Sequence, residues 1–256
     1  MKIGIFDSGI GGLSIVPSVR RALPKVDIIY YADVKNVPYG EKTPSEVLEY
    51  SMTAAEFLIS MGAEAIVVAC NTATSVAVNA LREKYETPDR NIPIIGMEPA
   101  VKKALDTCRG GRVLVAATPV TVKGKKLRDL VDKYDVNRLT DALPMPMLVH
   151  LAEAEDFLAD EYIKEELSSF DMEKYSALVL GCTHFNYFKD SFRRILPAHT
   201  RIVDGVDGTT RRLVSRLPES ADGSGSIEFF MSGEKANGTD KFLRLLKRLE
   251  EMEKIN

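Results

Sequence analysis

The sequence predicts an α/β protein: two pseudo-symmetric domains with mainly parallel sheets flanked by helices, and an active site in the cleft between them. Three observations carry this. Short β-branched or aliphatic runs alternate with helix-length stretches along the chain, the pattern of βα units and so of parallel sheet. Two of those runs end alike, Ile66-Val67-Val68-Ala69-Cys70-Asn71-Thr72 and Leu178-Val179-Leu180-Gly181-Cys182-Thr183-His184, with the cysteines 112 residues apart. Other strand ends recur at a similar offset: Asp7, after Ile3-Gly4-Ile5-Phe6, lies 111 residues before Thr118, and Pro93-Ile94-Ile95-Gly96 matches Arg201-Ile202-Val203-Asp204.

In chain order, strands are expected over residues 2–6, 27–31, 65–69, 92–96, 112–116, 177–181, 200–203 and 226–231. Helices are expected over 12–22, 44–61, 72–85, 99–108, 122–133, 160–169, 186–195, 208–216 and 239–254. The opening run Met1-Lys2-Ile3-Gly4-Ile5-Phe6-Asp7 lacks the long apolar core and small-residue cleavage site of a signal peptide, and reads as a strand. The runs before Cys70 and Cys182 are apolar without alternation, as in strands buried on both faces. The last helix places Phe242, Leu245, Leu246, Leu249 and Met252 at helical spacing, so one face packs on the body. Residues 219–225, rich in Ser, Gly and Asp, read as a surface loop. The repeat puts the chain crossings near residues 96 and 206. The first domain is then 1–95 plus 207–256, and the second 96–206.

Composition narrows the function classes. The chain has 256 residues, room for one large domain or two of about 100–150. Its 45 % apolar and 28 % charged content is that of an ordinary soluble globular protein. A net charge of −3 favours neither nucleic acid nor an anionic membrane as partner. No apolar stretch approaches the roughly 20 residues of a membrane span. Three cysteines without a CxxC pair argue against a disulfide scaffold or zinc site and for a reducing cytoplasm. Cys108, in the Gly-rich setting Cys108-Arg109-Gly110-Gly111, reads as incidental.

The candidate chemistry sits at strand ends, where open α/β sheets bind ligands. Asp7-Ser8-Gly9-Ile10-Gly11-Gly12 lets the backbone turn tightly and approach a ligand. It suits a carboxylate or phosphate cradle with Asp7 as acid, base or orienting group, and it is no Walker A loop because no Gly-Lys-Ser/Thr follows. Cys70 stands at the start of a helix, where a thiolate is stabilised and the thiol pKa lowered. Asn71 and Thr72 offer donors beside it. His184, two residues past Cys182, can exchange a proton near that thiol; His150 and His199 read as structural or exposed. Tyr39 and Gly40, in Val37-Pro38-Tyr39-Gly40-Glu41-Lys42, can close over a ligand. Thr118 and Thr121 offer hydroxyls, for a carboxylate or as helix caps.

Together these segments resemble the glutamate racemases, the cofactor-independent family of bacterial wall synthesis within the aspartate/glutamate racemase superfamily. The resemblance spans nearly the whole chain. It rests on Phe6-Asp7-Ser8-Gly9-Ile10-Gly11-Gly12, Val37-Pro38-Tyr39-Gly40-Glu41-Lys42, Ala69-Cys70-Asn71-Thr72-Ala73 and Gly181-Cys182-Thr183-His184. It implies two catalytic bases, Cys70 acting on D-glutamate and Cys182 on L-glutamate, assisted by Asp7 and His184. It implies substrate contacts at Ser8, Tyr39, Gly40, Asn71, Thr72, Thr118, Thr121 and Thr183, no cofactor and no metal. The partner is then a small molecule, glutamate, with neither nucleic acid nor membrane involved and a homodimer possible. The chain departs from the family pattern at Leu143, Asn186 and Gly205, where Cys, Pro and Ser are usual. A family glutamate has no firm counterpart; Glu153 is one loose match. Aspartate racemisation, a non-catalytic binder of acidic amino acids and an actin-like ATPase stay as alternatives.

Overall fold

The computed structural model describes residues 1–107, 110–218 and 222–255. Cys108 and part of the expected loop, residues 219–221, lie outside the described residues. In chain order the elements are β1 (Lys2–Asp7), α1 (Val16–Ala22), β2 (Asp27–Ala32), α2 (Pro44–Ser60), β3 (Ala65–Val68), α3 (Asn71–Tyr85), β4 (Ile94–Gly96), α4 (Val101–Thr107), β5 (Arg112–Ala117), α5 (Pro119–Lys123), α6 (Lys125–Tyr134), β6 (Thr140–Pro144), α7 (Met147–Glu153), α8 (Asp160–Leu167), β7 (Tyr175–Leu180), α9 (Lys189–Ile195), β8 (Arg201–Asp204), α10 (Val206–Val214), β9 (Ile227–Met231), β10 (Glu234–Lys235) and α11 (Asp240–Met252).

The strands form two sheets, ordered β10-β9-β2-β1-β3-β4 and β6-β5-β7-β8. Every pairing is parallel except that of β9 with β10. The core of the first order, β2-β1-β3-β4, repeats as β6-β5-β7-β8. The repeat therefore aligns Asp7 with Thr118 and Cys70 with Cys182 at equivalent strand ends. The C-terminal segment returns to the first sheet, where β9 pairs with β2.

Strand periodicity sorts the core into layers, because alternate residues face opposite sides of a sheet. Ile3, Ile5 and Val67 of the first sheet share one cluster with Leu114, Ala116, Leu178 and Leu180 of the second. Phe6, Ile66 and Val68 pack on the other face of the first sheet, with Leu58 and Ala77 of α2 and α3. Val113, Val115, Ala177 and Val179 do the same with Ala104 and Leu127 of α4 and α6. The expected apolar face of α11 is buried along its length, and Phe242 stacks on Phe229 at 4.4 Å. Each such side chain contributes about 1.5–3 kcal/mol by burial. No helix among the described residues is long and apolar enough to cross a membrane.

Several elements differ from expectation. The helix expected over 122–133 is two helices. Thr118 caps α5, with Pro119 in its first turn, and Gly124 interrupts with an extended backbone before α6. The stretches 12–22 and 186–195 open as 3-10 turns, Gly11–Ile15 and Thr183–Phe188, before becoming α-helical. The edge strand β6 is largely polar and partly exposed, so it lacks the apolar run that marks the inner strands. α7 is one short helix and β10 has two residues, too little of either to leave a periodic signal.

Candidate active site

The glycine loop after β1 puts its backbone against the acid/base groups. Asp7 is fully buried. Its carboxylate accepts the Gly9 N–H at 3.0 Å and the Thr183 hydroxyl at 3.0 Å, the latter from the second sheet. A Cβ on Gly11 would meet the His184 ring and Thr183 Oγ1, and one on Gly12 would meet Asp7 Cβ at 2.6 Å. Glycine is required here for close approach. Tyr30 donates to the Gly9 carbonyl at 2.8 Å and Tyr187 to that of Ile10 at 3.0 Å, pinning the loop from both sides.

Cys70 stands two residues past β3 and caps α3, its sulfur accepting the Ala73 N–H at 3.4 Å. Ser8 Oγ lies 3.8 Å from that sulfur. The helix terminus does favour the thiolate through the Ala73 N–H, but the expected net lowering of the thiol pKa is overturned. Burial, then the neighbouring Asp7 charge and the Cys182 charge, outweigh the Ala73 and Ser8 contacts and push Cys70 well above the ordinary thiol range. At neutral pH Cys70 rests as the thiol.

Cys182 follows β7 in the equivalent place, with different partners. His184 Nδ1 lies 3.9 Å from its sulfur, within reach for proton exchange. The other ring nitrogen, Nε2, is 2.6 Å from Glu153 Oε1. Burial alone disfavours the imidazolium, but contacts with Cys182, Glu153 and Asp7 win and hold His184 well above its usual 6.5. Glu153, at the end of α7, also accepts the Ile10 N–H at 2.8 Å. Burial raises its carboxyl, and His184 reverses this to leave it below the ordinary value. Asp7 stays raised, because its complete burial outweighs His184, Gly9 and Thr183.

Hydroxyls from the two sheets meet beside the thiols. Thr72 Oγ1 on α3 is 2.9 Å from Thr118 Oγ1 and 3.4 Å from Thr121 Oγ1 on the α5 side. Thr118 donates to Thr121 at 3.1 Å and accepts its N–H at 3.3 Å, so capping and clustering coexist. Gly40 packs so closely on Thr118 that an added Cβ would lie 2.7 Å from Thr118 Cβ. Asn71 donates to the Met97 carbonyl at 3.0 Å, and the Tyr39 hydroxyl donates to Asp33 at 2.7 Å. Those two polar groups are thus engaged in shaping the site. The two cysteines are free and nearly enclosed, 5 % and 6 % exposed.

All twelve expected residues therefore gather at the facing carboxyl ends of the two sheets. Asp33 was missed, and Glu153 was no more than a loose match. Glu153 lies on a helix with no sequence signal, and Asp33 follows β2 as Asp7 follows β1, a parallel that could have marked it. His150 is half-exposed as expected, yet its Nε2 lies 2.6 Å from Glu41 Oε1 in the Tyr39-Gly40 loop. Among the described residues no group of three or more His, Cys, Asp or Glu is placed to hold a metal ion.

The family model described as Asp/Glu/hydantoin racemase matches residues 4–213, which include every residue of this constellation. The chain belongs to this racemase family. It is 50 % identical to the glutamate racemase of Campylobacter curvus, over 100 % of this chain and 98 % of that protein. It is 45 % identical to glutamate racemase 2 of Bacillus subtilis, over 99 % and 98 %. Among solved structures, Escherichia coli glutamate racemase in complex with L-glutamate and the activator UDP-MurNAc-Ala superimposes with a TM-score of 0.84 at 30 % identity, covering 97 % and 94 % of the two chains. The enzyme from Aquifex pyrophilus gives 0.76 at 33 % identity, covering 96 % and 94 %. The chain is thus an amino-acid racemase with the racemase two-domain α/β fold.

Proposed function

We propose that this racemase interconverts L- and D-glutamate without a cofactor, by proton transfer at Cα between Cys70 and Cys182. One observation carries the mechanism: two free, buried thiols stand just past equivalent strands of the two sheets. Full-length relatives named glutamate racemase support the substrate.

Removing a Cα proton and returning one to the opposite face needs a base and an acid on the two faces. For D-glutamate the resting Cys70 thiol first passes its proton to the nearby Asp7 carboxylate, and the thiolate so formed takes the Cα proton, breaking Cα–H and forming S–H. The Cys182 thiol gives its proton to the other face of the carbanion and becomes the thiolate. For L-glutamate the roles reverse. The resting Cys70 thiol is the form that donates. Asp7, joined to Thr183 and near Cys70, and His184, near Cys182, serve as the local proton partners. Closure excludes water, and the hydroxyls of Ser8, Thr72, Thr118, Thr121 and Thr183, with Asn71 and the Tyr39-Gly40 loop, hold the carboxylates in a preorganised polar shell. The domain division is 1–95 plus 207–256 and 96–206, and the product serves peptidoglycan synthesis in the cytoplasm.

The test is purified protein with L-glutamate in D2O and no added cofactor. Loss of optical rotation together with Cα deuterium is expected, and Cys70→Ala and Cys182→Ala should each abolish racemisation. Near-full activity in both variants would end the two-thiol mechanism. Exchange with aspartate but not glutamate would reassign the substrate.

A further inference from the structure

Asp33 is a buried carboxylate that the proton chemistry does not use. It is 3 % exposed and directly follows β2, with its N–H donating to the Asp7 carbonyl at 3.0 Å. Its side chain accepts three neutral donors: the Tyr39 hydroxyl at 2.7 Å, the Asn36 amide at 2.9 and 3.1 Å, and the Ser232 hydroxyl at 3.0 Å. Burying a carboxylate costs stability unless hydrogen bonds compensate. Here every such bond runs to a segment that must be placed relative to the active site. Tyr39 and Asn36 belong to the loop that presses Gly40 on Thr118. Ser232 belongs to the two-residue turn between β9 and β10, whose Ser232 and Gly233 both have positive φ, 47° and 90°. Ser232 also accepts the Lys35 N–H at 3.0 Å and donates its own N–H to the Ala32 carbonyl at 2.8 Å.

We infer that Asp33 is a positioning residue for the racemase reaction: it holds the substrate loop Val37–Lys42 against Thr118, braced by the C-terminal hairpin. This rests on the reading that this loop closes over glutamate. Without the carboxylate, the Tyr39 phenol loses its acceptor and the loop its fixed orientation. Substrate must then order the loop as it binds, and the loss appears mainly in KM.

The experiment compares Asp33→Ala, Asp33→Asn, Ser232→Ala and Tyr39→Phe in the full chain, with the folded fraction of each fixed by circular dichroism melts. Asp33→Ala should raise the KM for L-glutamate about tenfold or more and lower kcat less, as expected for lost bonds to a charged acceptor. Asp33→Asn keeps a carbonyl for the phenol and should recover most of that loss. Ser232→Ala should raise KM about two- to threefold. Asp33→Ala combined with Tyr39→Phe should be no worse than Asp33→Ala alone, because both remove the same bond. Trypsin cleavage after Lys42 reports the loop without any substrate and should accelerate several-fold in Asp33→Ala and less in Asp33→Asn. If the wild type fails to racemise glutamate, the substrate reading falls while the cleavage arm still decides the positioning role. A fully folded Asp33→Ala with wild-type KM and cleavage rate overturns the proposal. So does a loss confined to the folded fraction or to kcat, or a double variant whose effects multiply. Should Asp33→Ala fail to fold, unchanged KM and cleavage in both Asp33→Asn and Ser232→Ala overturn it.

Discussion

Gly11→Ala tests the His184 geometry while leaving every ionisable group in place. The added methyl would sit 2.7 Å from Thr183 Oγ1 and 2.8 Å from His184 Cε1, closer still to Nδ1. The backbone there is outside the left-handed region, so the cost is steric and local. To restore ordinary contact at 3.4 Å with its nearest atom, the ring must withdraw by about 1 Å. It has little room: His184 is 1 % exposed and fixed by Glu153 at 2.6 Å. Misplacement on this scale costs on the order of tenfold to a hundredfold in rate. Overpacking costs about 1–3 kcal/mol of stability, roughly 2–4 °C of Tm per kcal/mol. At equilibrium both directions of racemisation must slow together. In the proposed two-thiol mechanism the signature in D2O is a parallel loss: starting from D-glutamate, deuterium reaches Cα only from the Cys182 side, so Cα exchange and inversion should slow by the same factor. The assay is NMR of Cα–H against optical rotation on one sample. A folded Gly11→Ala enzyme within twofold of wild type in both readouts would refute the placement of His184 as the Cys182 partner.

Two further outcomes follow from the same contacts. Glu153→Gln removes a group that raises His184, so the His184 value falls toward 6.5 and the alkaline limb of kcat moves to lower pH; superimposable pH–rate profiles would contradict this. The stability sign is fixed as well. His184, raised on folding, stabilises fully below about 6.5 and loses this as pH rises through its folded value, whereas Glu153, lowered on folding, stabilises above about 4.5 and loses this as pH falls through its folded value. The Tm difference between wild type and Glu153→Gln should thus be larger at about pH 5.5 than at pH 9 or above. Thr118→Val deletes the bonds to Thr72 and Thr121 and the cap of α5. It should cost about 1 kcal/mol for the cap and raise KM about fivefold, measured by thermal melt and steady-state kinetics.

The sequence made the sheet interiors readable because parallel strands buried on both faces are written as unbroken apolar runs. The ends of β1, β3, β5 and β7 could be located in this way, and with them Asp7, Cys70, Thr118 and Cys182. β6 was not readable because its partly exposed edge position permits Thr140 and Asp141, which break the run. The same limit left Glu153 a loose match and hid Asp33. Both act through long-range contacts, 31 residues to His184 and 199 to Ser232, and no local period encodes a contact at that separation. The thiol state of Cys70 failed for a related reason. The helix N-terminus is a local feature visible in sequence, whereas burial and the Asp7 charge are properties of the assembled site.

The fold is more symmetric than its chemistry. The strand order repeats from one sheet to the other, and this repeat is what places two thiols just past equivalent strands. Their partners do not repeat. Cys70 has a helix N–H, a serine hydroxyl and a buried carboxylate nearby, and Cys182 has an imidazole backed by a second carboxylate. A two-base racemase needs both sulfurs to cross between thiol and thiolate in every cycle, yet its two substrates are mirror images whose ammonium and carboxylate groups cannot meet identical surroundings on both faces. Equivalent strand ends fix where the proton is handled, and the loops after them are free to differ. Those loops, Asp7–Gly12 after one strand and Thr183–Phe188 after another, touch each other through Thr183 and Asp7, so the two halves are coupled where their sequences diverge.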